Sequence, residues 1–198
     1  LEFCKEREAE IIKLLQDRIV QTNALNRTAY IMPIASSRFP DIEGVNLVDI
    51  GSSSGLTMNF NHYQYIYDDL VKIGEGRVQI KSNTLAGTMP YFTDIIKIKR
   101  KIGIDQNPLD LIWPDLQERF LRMEAAVEEA REANISMVAG SKIDDFRAVI
   151  ETVPKAEPLL VYHTHVLYQF SHAERLAFRQ LMDEIGTSRN FLYLAVEG

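Results

Sequence analysis

A single cysteine, Cys4, stands in this sequence, which excludes an internal disulfide and a cysteine-based zinc site and leads us to expect reducing, cytoplasmic surroundings. No apolar run approaches the ~20 residues that cross a bilayer, and the acid-rich start lacks the form of a signal peptide, so no membrane partner is expected. Positive charge is in deficit. The 22 Lys and Arg against 28 Asp and Glu leave a formal net charge of -6, which argues against a general nucleic-acid surface and points to a small molecule as partner. Internal repeats and low-complexity segments are missing too. The first residue is Leu1 rather than Met, which leads us to expect processing, an artificial boundary or an N-terminal segment outside this sequence. What remains is an ordinary globular composition, 46% apolar and 25% charged over 198 residues, enough for one domain with a sizeable core.

The chain is organised around residues 46–56, Asn-Leu-Val-Asp-Ile-Gly-Ser-Ser-Ser-Gly-Leu. Val45, Leu47, Val48 and Ile50 form the near-continuous apolar run of a strand covered on both faces. Asp49 closes it, and Gly51 and Gly55 bracket three serines. Glycine lets the chain turn sharply and lets another molecule approach the main chain, while the N–H groups of a helix start beyond the loop would face that molecule.

Residues 1–44 read as an N-terminal helical cap. Over 2–21 the apolar positions Ile11, Ile12, Leu15 and Ile19 recur at helical spacing and predict one amphipathic helix covering the sheet. An apolar segment over 25–34 follows, and the prolines and serines of 33–40 should end it. Residues 62–98 are irregular, with Gly74, Gly76 and Gly87 separating short β-prone pieces, and predict an inserted β-hairpin. Lys97, Lys99, Arg100 and Lys101 read as a solvated edge strand protected by charge. A second buried strand is predicted over 102–105, closing on Asp105. A helix over 114–133 carries the stripe Leu116, Phe120, Met123, Val127 and Ala130. A third strand over 135–138 precedes Gly140 and Ser141, and a short helix runs through Ile143, Phe146 and Ile150. A fourth strand over 159–162 precedes His163-Thr-His165. The capping box Ser171-x-x-Glu174 opens a last helix, and a final strand spans 191–196. This alternation predicts one α/β domain, a doubly wound, mainly parallel sheet with helices on both faces.

In such a sheet, ligands bind outside the carboxyl ends of the strands, near the point where strand order reverses. The residues there are Asp49, Gly51, Ser52, Ser53 and Gly55, then Asp105, then Ser141, then His163 and His165. An acid ending the second strand can accept both hydroxyls of a nucleotide ribose. Asp105 lies much further beyond Gly51 than the ~20 residues usual for that acid, so the reading requires 62–98 to be an insertion. The dinucleotide pattern G-x-G-x-x-G fails because Ser53 and Leu56 replace its second and third glycines. His163 and His165, two positions apart on an extended segment, would face one side and could move a proton or hold a metal, or brace the core. Asn23 and Arg27 lie one helical turn apart and could reach the same pocket or form a polar bridge at a helix end.

Asp49-x-Gly51-x-x-x-Gly55, with a later strand ending Gly103-Ile-Asp105, resembles the first two motifs of class I S-adenosylmethionine-dependent methyltransferases. Across nearly the whole chain, the order Gln21-Thr22-Asn23…Arg27, Ile50-Gly51-Ser-Ser-Ser-Gly55-Leu56, Gly103-Ile-Asp105-x-x-Pro108-x-Asp110, Trp113-Pro114…Glu118-Arg119 and His163-Thr-His165 resembles a bacterial family, domain of unknown function 2332, assigned to that Rossmann-like, methyltransferase-like fold. The resemblance implies S-adenosylmethionine as cofactor against Asp49, Gly51, Ser52, Ser53, Gly55, Asp105 and Ser141, with an unidentified small molecule as substrate, and names no reaction. Ser141 departs from the acid that many methyltransferases place near the adenine. Two alternatives stay open. One is a non-catalytic nucleotide- or small-molecule-binding protein of the same fold. The other is a serine hydrolase, since Gly51-Ser52-Ser53-Ser54-Gly55 satisfies G-x-S-x-G with Asp105 and His163 in the right order; yet no HGGG-like stretch is present for an oxyanion hole.

Overall fold

The computed structural model describes residues 2–17, 24–85, 88, 92, 94–106 and 117–197. In chain order its elements are α1 (Glu2–Glu6), α2 (Glu8–Asp17), α3 (Thr28–Arg38), β1 (Val45–Ile50), β2 (Gln64–Tyr67), β3 (Val71–Ile73), β4 (Gln79–Ser82), β5 (Ile98–Asp105), α4 (Gln117–Glu132), β6 (Ile135–Ala139), α5 (Ile143–Glu151), β7 (Leu159–Thr164), α6 (His172–Ser188) and β8 (Phe191–Val196). Five strands form a sheet in the order β6-β5-β1-β7-β8, with every pairing parallel. The chain moves outward from β1 to β5 and β6, then returns to the other side of β1 for β7 and β8. Strand order therefore reverses at β1.

All six residues of β1 are buried, as a central strand with two covered faces requires. Leu47, Leu160 and Tyr162 pack with α3, the segment 56–62 and Ala126 of α4. Val48, Ile50, Ile102, Ile104 and Val161 pack on the other face with Phe146 and Ile150 of α5 and Phe178, Leu181 and Ile185 of α6. The predicted α/β architecture with helices on both faces is present.

Several local expectations change. Residues 62–98 do contain a hairpin, β2 with β3, but β4 joins it parallel to β2 and makes a second, three-stranded sheet. Its Tyr65, Tyr67 and Ile80 enter the main core. The helix α3 runs through Pro33 and ends at Arg38, inside the stop expected over 33–40. Proline has no N–H for the carbonyl four residues back, and here the Tyr67 hydroxyl donates to that carbonyl, Ala29 O, at 2.6 Å. The basic run is not an edge strand. It forms the first half of β5, between β1 and β6, where Lys101 is buried and its Nζ donates to Asn59 Oδ1 at 2.6 Å; burial pulls its pKa down to about 8. The first helix breaks at Arg7, and Phe3 and Ile12 remain 68% and 47% exposed. Charged neighbours leave too narrow an apolar stripe there to cover a sheet. On α4 the buried stripe centres on Ala126, and Phe120 is exposed. Ile19, Gly87, Trp113 and the predicted start of that helix lie outside the described residues.

Candidate functional site

The carboxyl ends of β5, β1 and β7 lie side by side at the reversal point, with that of β6 beyond β5. Gly51, Ser53 and Gly55 all take left-handed backbone conformations, with φ of 71°, 51° and 77°, which folds residues 51–55 into a tight loop. The N–H groups of Gly51, Ser52, Ser53 and Gly55 are taken by the chain itself. Gly51 N and Ser52 N donate to Ile104 O at 2.8 and 3.3 Å, and Gly55 N donates to Ser52 O at 2.8 Å. Ser53 N donates to Asp105 Oδ2 at 2.7 Å. Asp105, at the end of the neighbouring strand, thus braces the loop. Beyond it comes a buried 3-10 segment, Leu56–His62, and not the α-helix start that would have aimed free N–H groups at a ligand. The glycines answer to packing as well. A Cβ on Gly51 would collide with Val166 Cγ2, and one on Gly55 would meet Met58 Cε at 2.9 Å and Met137 Sδ at 3.2 Å.

Asp49 points away from the loop, into the face that carries α3. Its Oδ2 accepts from Thr57 Oγ1 at 2.8 Å and from Tyr162 OH at 2.6 Å, with the two hydroxyls 3.2 Å apart. Asp49 and Tyr162 are direct partners in the β1–β7 register. Burial raises the Asp49 pKa to about 7, since the two hydroxyls and Arg27 favour the charged form less than burial opposes it, and the charge of Asp105 adds to the rise.

On the opposite face, His163 is fully buried. Its Nε2 is 2.6 Å from Tyr193 OH and its Nδ1 is 2.8 Å from Glu197 Oε1, a close contact that lacks hydrogen-bond alignment. Glu197 Oε1 also accepts the N–H groups of Val166 and Leu167 at 2.9 and 3.0 Å. Burial lowers the His163 pKa despite that carboxylate and keeps the ring neutral. For Glu197, burial pulls upward, but the two backbone donors and His163 outweigh it and hold the carboxyl below its ordinary value. His165 lies past the end of β7 in a left-handed conformation, φ 55°, so the strand alternation that would have set both histidines on one side stops before it. Its N–H donates to Val196 O at 2.7 Å.

Arg27 reaches the same end of the sheet, donating from Nη1 to Thr164 Oγ1 at 3.1 Å; its companion Asn23 lies outside the described residues. Ser141 Oγ accepts from Gln106 Nε2 at 2.7 Å, which ties the loop after β6 to the loop after β5. Asp145 Oδ2 accepts from Ser141 N and Lys142 N, both at 2.9 Å, and closes the start of α5. The structure thus brings Gly51, Ser52, Ser53, Gly55 and Asp105 together, adds Arg27 and His165 from the β7 side, and buries Asp49 and His163 on opposite faces. Sequence reasoning passed over Thr57, Tyr162, Tyr193, Glu197 and Asp145. For Tyr162 a signal existed, because a tyrosine inside an apolar strand must find a partner for its hydroxyl. No group of three or more His, Cys, Asp or Glu among the described residues could hold a metal ion.

Fold and site together define an α/β protein with a parallel five-stranded sheet and an acid-braced glycine-serine loop where strand order reverses. No helix among the described residues is long and apolar enough to cross a membrane. The chain belongs to the bacterial family DUF2332, described as uncharacterized proteins conserved in bacteria, whose profile matches residues 1–198. No curated protein and no solved structure matches it.

Proposed function

We propose that this chain is a Rossmann-like, methyltransferase-like protein that binds S-adenosylmethionine at the reversal point and transfers its methyl group to a small molecule. The observation that carries the reading is the position of Asp105, at the end of the strand beside β1 and hydrogen-bonded to the loop that ends β1. A carboxylate there suits the paired hydroxyls of a ribose. The donor set fits this cofactor better than a dinucleotide, because S-adenosylmethionine carries no phosphate and makes no demand on loop N–H groups already bonded within the chain. When bound, it supplies an electrophilic methyl group. Asp105 would orient the ribose, Ser141 would border the adenine, and Arg27 with His165 would face the substrate, His165 taking the proton that an acceptor must lose. A ligand lying over Gly51 displaces the Val166 side chain, which fills that space here.

The non-catalytic reading draws on the same contact and on His163, whose ring nitrogens face Tyr193 and Glu197. That arrangement engages both ring nitrogens of the histidine that a hydrolase reading would pair with Ser53.

Calorimetric titration tests the proposal. S-adenosylmethionine or its demethylated product should bind at low-to-mid micromolar Kd, about -7 to -8 kcal/mol. Asp105→Asn keeps an oxygen for Ser53 N–H but loses the charge, and should weaken binding ~10-fold or more with little change in melting temperature. Absence of heat and of thermal shift at saturating cofactor overturns the assignment.

A further inference from the structure

Interior strands of a parallel sheet are normally apolar on both faces. β5 lies between β1 and β6, yet Lys99 and Arg100 in its first half are exposed and burial begins only at Lys101. This cationic start opens onto a cavity of about 340 Å³ at the amino ends of β5 and β6, opposite the loops described above. The volume lies in the range of small-molecule sites, ~300–1,000 Å³. Ile102, Val138 and Val149 form an apolar wall, and Lys99, Arg100, Asn134 and Ser136 supply polar groups. Ile102 is the register partner of Ser136 and Ile104 that of Val138, so strand alternation sets Arg100, two residues before Ile102, on this same face.

Among the described residues the two cations are unmatched. Lys101 gives its Nζ to Asn59, but among the described residues neither Lys99 nor Arg100 has a carboxylate within ion-pair distance. In a chain of net charge -6, two unpaired cations beside a half-apolar cavity call for an anion from outside. We propose that this cavity binds a small organic anion, a carboxylate or phosphate head on a short apolar body. The head lies on Arg100 and Lys99, where a guanidinium can hold two oxygens at once. The body lies against Ile102, Val138 and Val149. The opposite orientation is disfavoured because the carboxyl end of α5, with Thr152, borders the cavity, and the negative end of a helix dipole repels an anion.

Octanoate, n-octyl phosphate, inorganic phosphate and 1-octanol, titrated into the whole chain by calorimetry and followed by amide NMR, separate the contributions. Octanoate or octyl phosphate should bind saturably at one site, with shifts centred on residues 99–102, 134–138 and 149–152; the tighter of the two identifies the head group. Inorganic phosphate and octanol, each with half of the chemistry, should bind at least ~10-fold more weakly. Arg100→Gln should weaken the amphiphile ~10-fold or more, as loss of a charge-assisted paired hydrogen bond requires. Ser136→Trp, which leaves both cations and fills the space from the exposed edge strand, should abolish binding. Failure of both amphiphiles to saturate, equal binding by Arg100→Gln and parent, or shifts centred elsewhere would each overturn the proposal.

Discussion

Asp49 offers the sharpest check on how this site is built, because its protonation couples to folding with a definite sign. Its carboxyl titrates at 3.8 in the open chain and at about 7 in the fold. Below pH ~4 both states hold the proton and the residue is neutral toward stability. As pH rises, the unfolded chain ionises first, so the native state binds more protons and stability falls until the native carboxyl also ionises, near pH 7. At about 1.36 kcal/mol per unit, the full loss is about 4 kcal/mol, a large part of the ~5–15 kcal/mol that holds a domain together. Asn has the same shape, keeps an oxygen for Thr57 and Tyr162, and never ionises. The stability of Asp49→Asn minus that of the parent should therefore grow by about 2 to 3 kcal/mol between pH 5 and pH 8, read from urea unfolding at each pH. The neutral ring of His163 titrates with the opposite sign, but it is present in both proteins and cancels in the difference. A difference that stays flat across this range would mean that Asp49 is ionised throughout and that burial does not govern it.

Two further outcomes follow from the same contacts. Tyr67→Phe removes the donor to Ala29 O and should cost about 1 to 3 kcal/mol as a buried carbonyl left unpaired; Pro33→Ala restores an N–H to that carbonyl, so a double-mutant cycle should show the Tyr67 loss shrinking in its presence. Because the fold depresses the His163 pKa, the unfolded chain takes up a proton that the native chain refuses, and stability should fall as pH drops below ~6.5; with Asn at position 49 to silence the first effect, His163→Gln should flatten that slope in urea unfolding.

The parallel sheet was legible because burial on both faces writes itself as apolar runs: β1 and β7 fall on such runs nearly residue for residue, and even the half-buried edge strand β8 follows one. The misread elements share one cause, a tertiary contact that cancels a local signal. Within the stop expected over 33–40, Pro33 itself does not end the helix, because a tyrosine from the three-stranded sheet takes over the carbonyl it abandons. Lys97 to Lys101 looked like the charged guard of an edge strand, and a strand's neighbours cannot be counted from its own side chains. The third strand of the smaller sheet, β4, pairs in parallel with β2, a non-local register that a hairpin pattern does not foretell.

The glycine-serine loop shows where site reading from sequence stops. Glycine at positions 51 and 55 correctly announced left-handed turns and close approach, since both have positive φ and no room for a Cβ. What approaches was not written in the spacing. In the structure it is Val166, Met58 and Met137, and the acid that closes the second strand first serves the loop itself, through Ser53 N. A cofactor-binding loop and a well-packed loop thus ask for the same glycines and the same acid, and the two part only in what happens to the charge. An acid needed solely to hold a backbone N–H tolerates replacement by Asn, because the amide oxygen accepts the same bond. An acid that also holds a pair of hydroxyls does not, because each of those bonds draws its strength from the negative charge. Asn at residue 105 is therefore silent in the first case and costs ligand affinity in the second, so the response of cofactor affinity to Asn there bears on function in a way that the loop's geometry does not.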